Sequence, residues 1–395
     1  MSKEWLQDYY QLKEFIAGHP DIQIAEFIVS IPDDVRPGFY RLFNTITANY
    51  IRGTFPDILS EASLLATGFA QVSEKVISQL NLNTIQLDPH LKMFLKDPCE
   101  GLVGRLFNPL FDLLKGKTDL VGFEDISAMV TQDSYKSFLH YGYEYWAALS
   151  LMCLIAPDKS YSVPVPDQYI DPDLTSDEGR LNKIVNDVPA IVPTESISFD
   201  LNRFFPFIVP KVILHSDHLA PFVAIGVDLR DVYRRASAIS KKTEWLNIED
   251  LRARFGKFNL WPSICIYLGD AAEELSLEAD HVNVARPDIV VDVMENADWY
   301  ETGGMEIVKL HLKALKPRLG SFVVCREVVP ASALQELQSE RKLEQALLAH
   351  QTATKQSSIE ILEEPAPTID LISVGYETAK LEPIINVIAK LRTKS

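Results

Sequence analysis

Four apolar runs in the second half of the chain constrain the fold more than any other feature. They are FVAIGVDL (222–229), SICIYLGD (263–270), PDIVVDVM (287–294) and SFVVCREVV (321–329). Each is short, rich in β-branched residues and bounded by turn-forming residues, the pattern of a strand buried on both faces. RDVYRRASAIS and GGMEIVKLHLKALK lie between them with helical spacing, the second placing Ile307, Leu310, Leu312 and Leu315 inward. Continuous apolar strands alternating with helices predict a parallel sheet covered by helices. The junction HLKALKPRLGSFVVCREVV shows how one helix would hand over to a strand. Pro317 has no N–H and disfavours helix at Lys316. Gly320 is expected to take a positive φ, and Phe322 to Val324 then enter the sheet. The tail, SIEILEEPAPTIDLISVGY, reads as two strands split by prolines, which suits an antiparallel hairpin at a sheet edge.

The first half differs. WLQDYYQLKEFIAG, RPGFYRLFNTITANYIRG and PDILSEASLLATGFAQVSEKVISQL repeat apolar residues at helical spacing. EDISAMVTQDSYKSFLHYGYEYWAALSLMCLIA predicts two helical stretches broken near Gly142, with Tyr145 to Ala156 as a core helix. That run is shorter than the roughly 20 residues a bilayer needs. Prolines at 157, 164, 166, 172, 189 and 193 then mark a connector or lid. The expected organisation is a helical domain (1–156), a Pro-rich linker or lid (157–193) and an α/β domain (194–395).

The four cysteines are far apart in sequence, with no metal or redox spacing, and the N-terminus has no signal-peptide pattern. A reducing, cytoplasmic setting without membrane insertion is expected. The net charge of −17 disfavours nucleic acid as a partner. A small molecule or a protein remains the expected substrate, and the helical domain offers a face for homodimer formation.

The order of these signals resembles the class I S-adenosylmethionine-dependent methyltransferases. ALKPRLGSFVV resembles their Leu-Lys-Pro-Gly-Gly junction, with Arg318 and Leu319 in place of the glycine pair. AIGVDLRDVYRRAS resembles the strand whose terminal acid takes the ribose hydroxyls, and YLGDAAEEL the segment whose aspartate reads the adenine. The resemblance covers roughly residues 195–395. It implies a Rossmann-like, mostly parallel sheet with a C-terminal antiparallel hairpin. It further implies S-adenosylmethionine held by Asp200, Asn202, Asp228, Leu229, Asp270 and Ala271 at the carboxyl ends of the strands. In SISFDLNRFF, Asp200-Leu201-Asn202 stands where the family's glycine loop would be, and no glycine follows before Gly226. MENADWY sits where amino-group methyltransferases bind their acceptor, so Asn296, Trp299 and Tyr300 are the candidate catalytic residues.

Other readings share these residues. A protein that kept the fold without the cofactor would be a binding scaffold. FPFIVPKVILHS and PFVAIGVDL can also pair as one hairpin turning at DHLA. Asp217 and Asp228-Leu229-Arg230 then loosely resemble the PD-(D/E)xK nucleases, whose paired carboxylates hold Mg²⁺. HSDH collects His215, Asp217 and His218, and a metal site there would need ligands from elsewhere in the chain.

Overall fold

Three helices of the first half begin at proline, where the missing N–H would have had no helical partner. Two of them are preceded by a capping aspartate: Asp88 accepts from the amides of His90 and Leu91, and Asp97 from that of Glu100. The computed structural model describes residues 4–162, 191–199, 212–219, 222–227, 245–247, 262–275, 283–339 and 368–392.

In chain order these form α1 (Glu4–Gly18), β1 (Gln23–Ile24), β2 (Val29–Ser30), α2 (Arg36–Thr54), α3 (Pro56–Leu80) and β3 (Thr84–Leu87). Next come α4 (Pro89–Lys96), α5 (Pro98–Val103), α6 (Phe107–Leu114), α7 (Leu120–Ile155), β4 (Lys159–Ser162), β5 (Val192–Pro193) and β6 (Ser196–Phe199). The remainder comprises β7 (Val212–His215), β8 (Phe222–Val227), β9 (Trp245–Asn247), β10 (Ile264–Gly269), β11 (Asn283–Ala285) and β12 (Ile289–Met294). The last elements are α8 (Gly304–Leu315), β13 (Gly320–Cys325), β14 (Thr368–Ser373) and α9 (Glu382–Arg392). Among the described residues no helix is long and apolar enough to cross a membrane.

The chain divides into two compact units, residues 1–71 with 87–142, and residues 72–86 with 143–395. The first is helical, apart from the two-stranded β1–β2 hairpin. The apolar stripes expected there are core: Trp5, Tyr9, Leu12, Phe39, Phe43 and Phe111 are all buried. The break expected near Gly142 does not occur, and α7 is continuous. A Cβ at Gly142 would lie 2.8 Å from Leu65 Cδ2, so this glycine serves close packing instead. The run from Tyr145 onward is buried core helix, as expected.

The second unit holds an eight-stranded sheet in the order β14-β13-β12-β10-β8-β7-β4-β5. A mostly parallel sheet is not what these strands form. Only β12, β13 and β14 run parallel to one another, and every other neighbouring pair is antiparallel. The sheet is therefore mixed α/β. The local sequence does not carry strand direction, because a strand buried on both faces has the same apolar pattern either way. Two further expectations are affected. β14 pairs parallel with β13 and is followed by α9. The earlier strand of the expected C-terminal hairpin (358–362) lies outside the described residues. The segment leading to Asp200 is β6, which pairs with β3 in a separate two-stranded sheet.

The crossover from β12 through α8 to β13 forms as the sequence suggests, with altered details. The helix ends on Lys316, which takes the left-handed conformation at φ 44° while its N–H bonds Leu312 O. Gly320 is already inside β13, opposite Ile289. On α8, Met305, Val308, His311, Leu312 and Leu315 are buried, whereas Ile307 is exposed. All four cysteines are buried, and none forms a disulfide. Burial pushes the Cys153 thiol up to about 11 and that of Cys325 up to about 12.

Asp288, only 2 % exposed, stands at the entry to β12. Its carboxylate accepts from Leu268 N–H at 2.8 Å and meets the Arg318 guanidinium at 2.5 Å. Burial pushes this carboxyl above its usual range, and Arg318 opposes that shift. Removing one partner of a buried ion pair strands the other charge. We expect Arg318→Ala to lower unfolding free energy by about 3 kcal/mol in urea titrations.

Candidate metal centre

The carboxyl end of α7 would leave its last carbonyls without helical partners. Ser216 supplies one, its hydroxyl donating to Ile155 O at 3.0 Å. The chain then reverses through Ala156, at φ 49°, and Pro157. Asp158 N–H bonds His215 O at 3.1 Å, and β4 continues antiparallel to β7 with Lys159 opposite His215. These bonds bring Asp158 beside the β7–β8 hairpin. The hairpin is the alternative pairing considered from sequence: Val212 lies opposite Ile225 and His215 opposite Phe222, with the turn at DHLA.

Asp158, His215 and Asp217 converge here, each offering a ligand atom within 4.8 Å of the others. Asp158 Oδ1 lies 2.6 Å from His215 Nδ1, and Asp217 Oδ1 lies 4.0 Å from His215 Nε2. The imidazole packs edge-on against Phe222, with centroids 4.9 Å apart. Side-chain exposures of 22 % for His215, 44 % for Asp158 and 78 % for Asp217 leave the group open to solvent. The hydrogen bond from His215 holds the Asp158 carboxyl below its usual range. His218 is exposed in the same turn. The third member of the cluster, which HSDH does not supply, thus comes from 57 positions upstream, beyond the reach of a local pattern.

The strands that lead to the residues expected to hold a nucleoside end at different rims. Asp200, Asn202, Asp228 and Leu229 lie outside the described residues. The strands leading to the acids are described, and they decide the geometry. β8 and β10 are antiparallel: Val227 lies opposite Ile264, and Gly269 opposite Phe222. The strand end that precedes Asp228 and the one that precedes Asp270 and Ala271 therefore sit at opposite rims of the sheet. β8 leads away from the turn that holds Asp217, and Asp228, Leu229 and Arg230 of the nuclease pattern lie outside the described residues. Asp270, exposed, instead shares a rim with the Asp158 group, about two strand spacings or roughly 10 Å away.

Asn296, Trp299 and Tyr300 do follow the carboxyl end of β12. Asn296 is exposed and its amide donates to Glu295 Oε1 at 3.2 Å. Trp299 is 4 % exposed and packs in a core with Met305, Val308, Leu312 and Cys325. Its carbonyl accepts from Gly304 N–H, and a Cβ at Gly304 would come within 2.7 Å of that oxygen. Trp299 is thus an anchor for the start of α8. Tyr300 lies beside it, edge-on at 6.1 Å.

A second acid–imidazole pair joins Asp292 of β12 to His311 of α8 at 2.7 Å. Both side chains are almost fully enclosed, and neither Asp292 Oδ2 nor His311 Nε2 has a hydrogen-bond partner. Enclosure denies this pair a substrate, which leaves the Asp158 group as the accessible constellation among the described residues. No protein-family model, curated protein or solved structure matches this chain. Trp299→Ala is expected to behave as a core truncation, costing about 3–5 kcal/mol in denaturant unfolding; a stability within 1 kcal/mol of wild type, by the same rough scale, would restore it as a candidate ligand contact.

Proposed function

We propose that the second unit binds a divalent cation at the cluster of Asp158, His215 and Asp217 and supports metal-assisted hydrolysis. The observation that carries this reading is the convergence of two carboxylates and one imidazole on an exposed rim. Oxygen and imidazole donors together suit Mn²⁺, Zn²⁺ or Mg²⁺. Catalytic metal sites keep coordination positions open for water and substrate, and the exposure of these side chains leaves such positions. A cation held there would lower the pKa of a bound water and so supply a nucleophile for an electrophilic carbon or phosphorus, with the water's proton passing to the leaving group.

The net charge of −17 favours cations near the surface and repels long polyanions. A small ester or phosphoester fits this charge better than DNA. The methyl-transfer reading needs acids gathered at a shared rim, and the antiparallel register of β8 and β10 favours the metal reading over it. A scaffold without chemistry would bind neither metal nor cofactor.

Calorimetry separates these readings. The metal reading expects one Mn²⁺ or Zn²⁺ per chain, loss of that heat in His215→Ala, and no heat with S-adenosylmethionine. It also expects chelator-sensitive hydrolysis of p-nitrophenyl esters or phosphoesters, and no cleavage of plasmid DNA with Mg²⁺. Heat with S-adenosylmethionine and none with either metal would replace this proposal with methyl transfer.

A further inference from the structure

Resting on that metal reading, we infer that Asp158 is a positioning residue: it fixes the His215 ring, and His215 Nε2 with Asp217 are the cation's direct protein ligands. A carboxylate only accepts hydrogen bonds, so the 2.6 Å contact to Asp158 Oδ1 requires the proton on His215 Nδ1. The neutral imidazole then carries its lone pair on Nε2. That is the nitrogen facing Asp217, whose Oδ1 is 4.0 Å away.

The distance suits a bridging ion. Metal–nitrogen and metal–oxygen bonds of roughly 2.0–2.2 Å span up to about 4.2 Å between two donors. Asp217 lies in the exposed turn, so a small side-chain shift closes the angle between them. Asp158 Oδ1 lies against the other nitrogen of the ring. Coordinating the same ion would break the bond that orients the ring.

Three constraints hold the imidazole in this pose. Asp158 bonds Nδ1, Phe222 packs against the ring, and the backbone of residue 215 is paired with Lys159 and with Phe222. Asp158 is itself held by its N–H bond to His215 O. Such an acid–histidine–metal arrangement sets both tautomer and orientation, and loss of the outer acid typically costs 10–100-fold in affinity.

The test uses the full chain. Nitrogen NMR at alkaline pH reads the His215 tautomer without metal, and Zn²⁺ and Mn²⁺ calorimetry reads affinity. Wild type is expected to carry the Nδ1–H form. Asp158→Ala should weaken Zn²⁺ binding by about 10–100-fold while keeping one ion per chain. Asp158→Asn, whose carbonyl still accepts from Nδ1–H, should recover part of that loss. Asp217→Asn should lose more affinity than Asp158→Ala. An Nε2–H tautomer in the wild type overturns the role of Asp158 whatever the metal result. A larger loss for Asp158→Ala than for Asp217→Asn also overturns it, by making Asp158 a ligand. Wild type that shows the Nδ1–H form and binds neither ion overturns the metal reading instead, and with it the assignment of Asp217.

Discussion

The arrangement of the second unit depends on one buried carboxylate at the point where the sheet changes from antiparallel to parallel. β12 runs against β10 and alongside β13, so the residue entering β12 must satisfy backbone on both sides. Asp288 does so. Its N–H bonds Ile266 O, its carbonyl accepts from Leu319 N–H, and its side chain takes Leu268 N–H and Arg318. A charge that is 2 % exposed is tolerable only when paired and hydrogen-bonded. Shifting β10 by one residue would remove the Leu268 bond and turn its apolar side chains to the other face. The register of β10 then sets β8, β8 sets β7, and β7 places His215.

The candidate metal centre is assembled by backbone accounting more than by side-chain attraction. The exposed acids near His215 contribute little to stability in water. What brings them together is the demand of the α7 carboxyl end for donors, met by Ser216, and the pairing of β4 with β7. The resulting rim carries Asp158, Asp217 and Asp270, and the opposite rim carries Asn296 and Arg326.

Some of this was readable from residues alone. The four strands form on their apolar runs, with β13 stopping at Cys325, because β-branched residues between turn signals have few other stable states. The stop at Pro317 also held, since the ring excludes continued helix. The glycine details did not. Gly320 was given the turn that Lys316 performs, and Gly142 the break that α7 lacks. Glycine marks both turns and close contacts, and only the neighbour, Leu65, tells which at position 142. Two of the three metal-capable residues, His215 and Asp217, were visible in HSDH, while Asp158 looked like part of a Pro-rich connector.

The sequence by itself determined the four central strands, β8, β10, β12 and β13, the helical character of the first unit, and the acidic charge balance of the chain. These follow from local side-chain chemistry and from the sum of charges. Only the tertiary structure decided strand direction, and with it which acids share a rim. A doubly buried strand presents the same apolar face whichever way it runs, so the choice rests on hydrogen bonds between residues far apart in the chain.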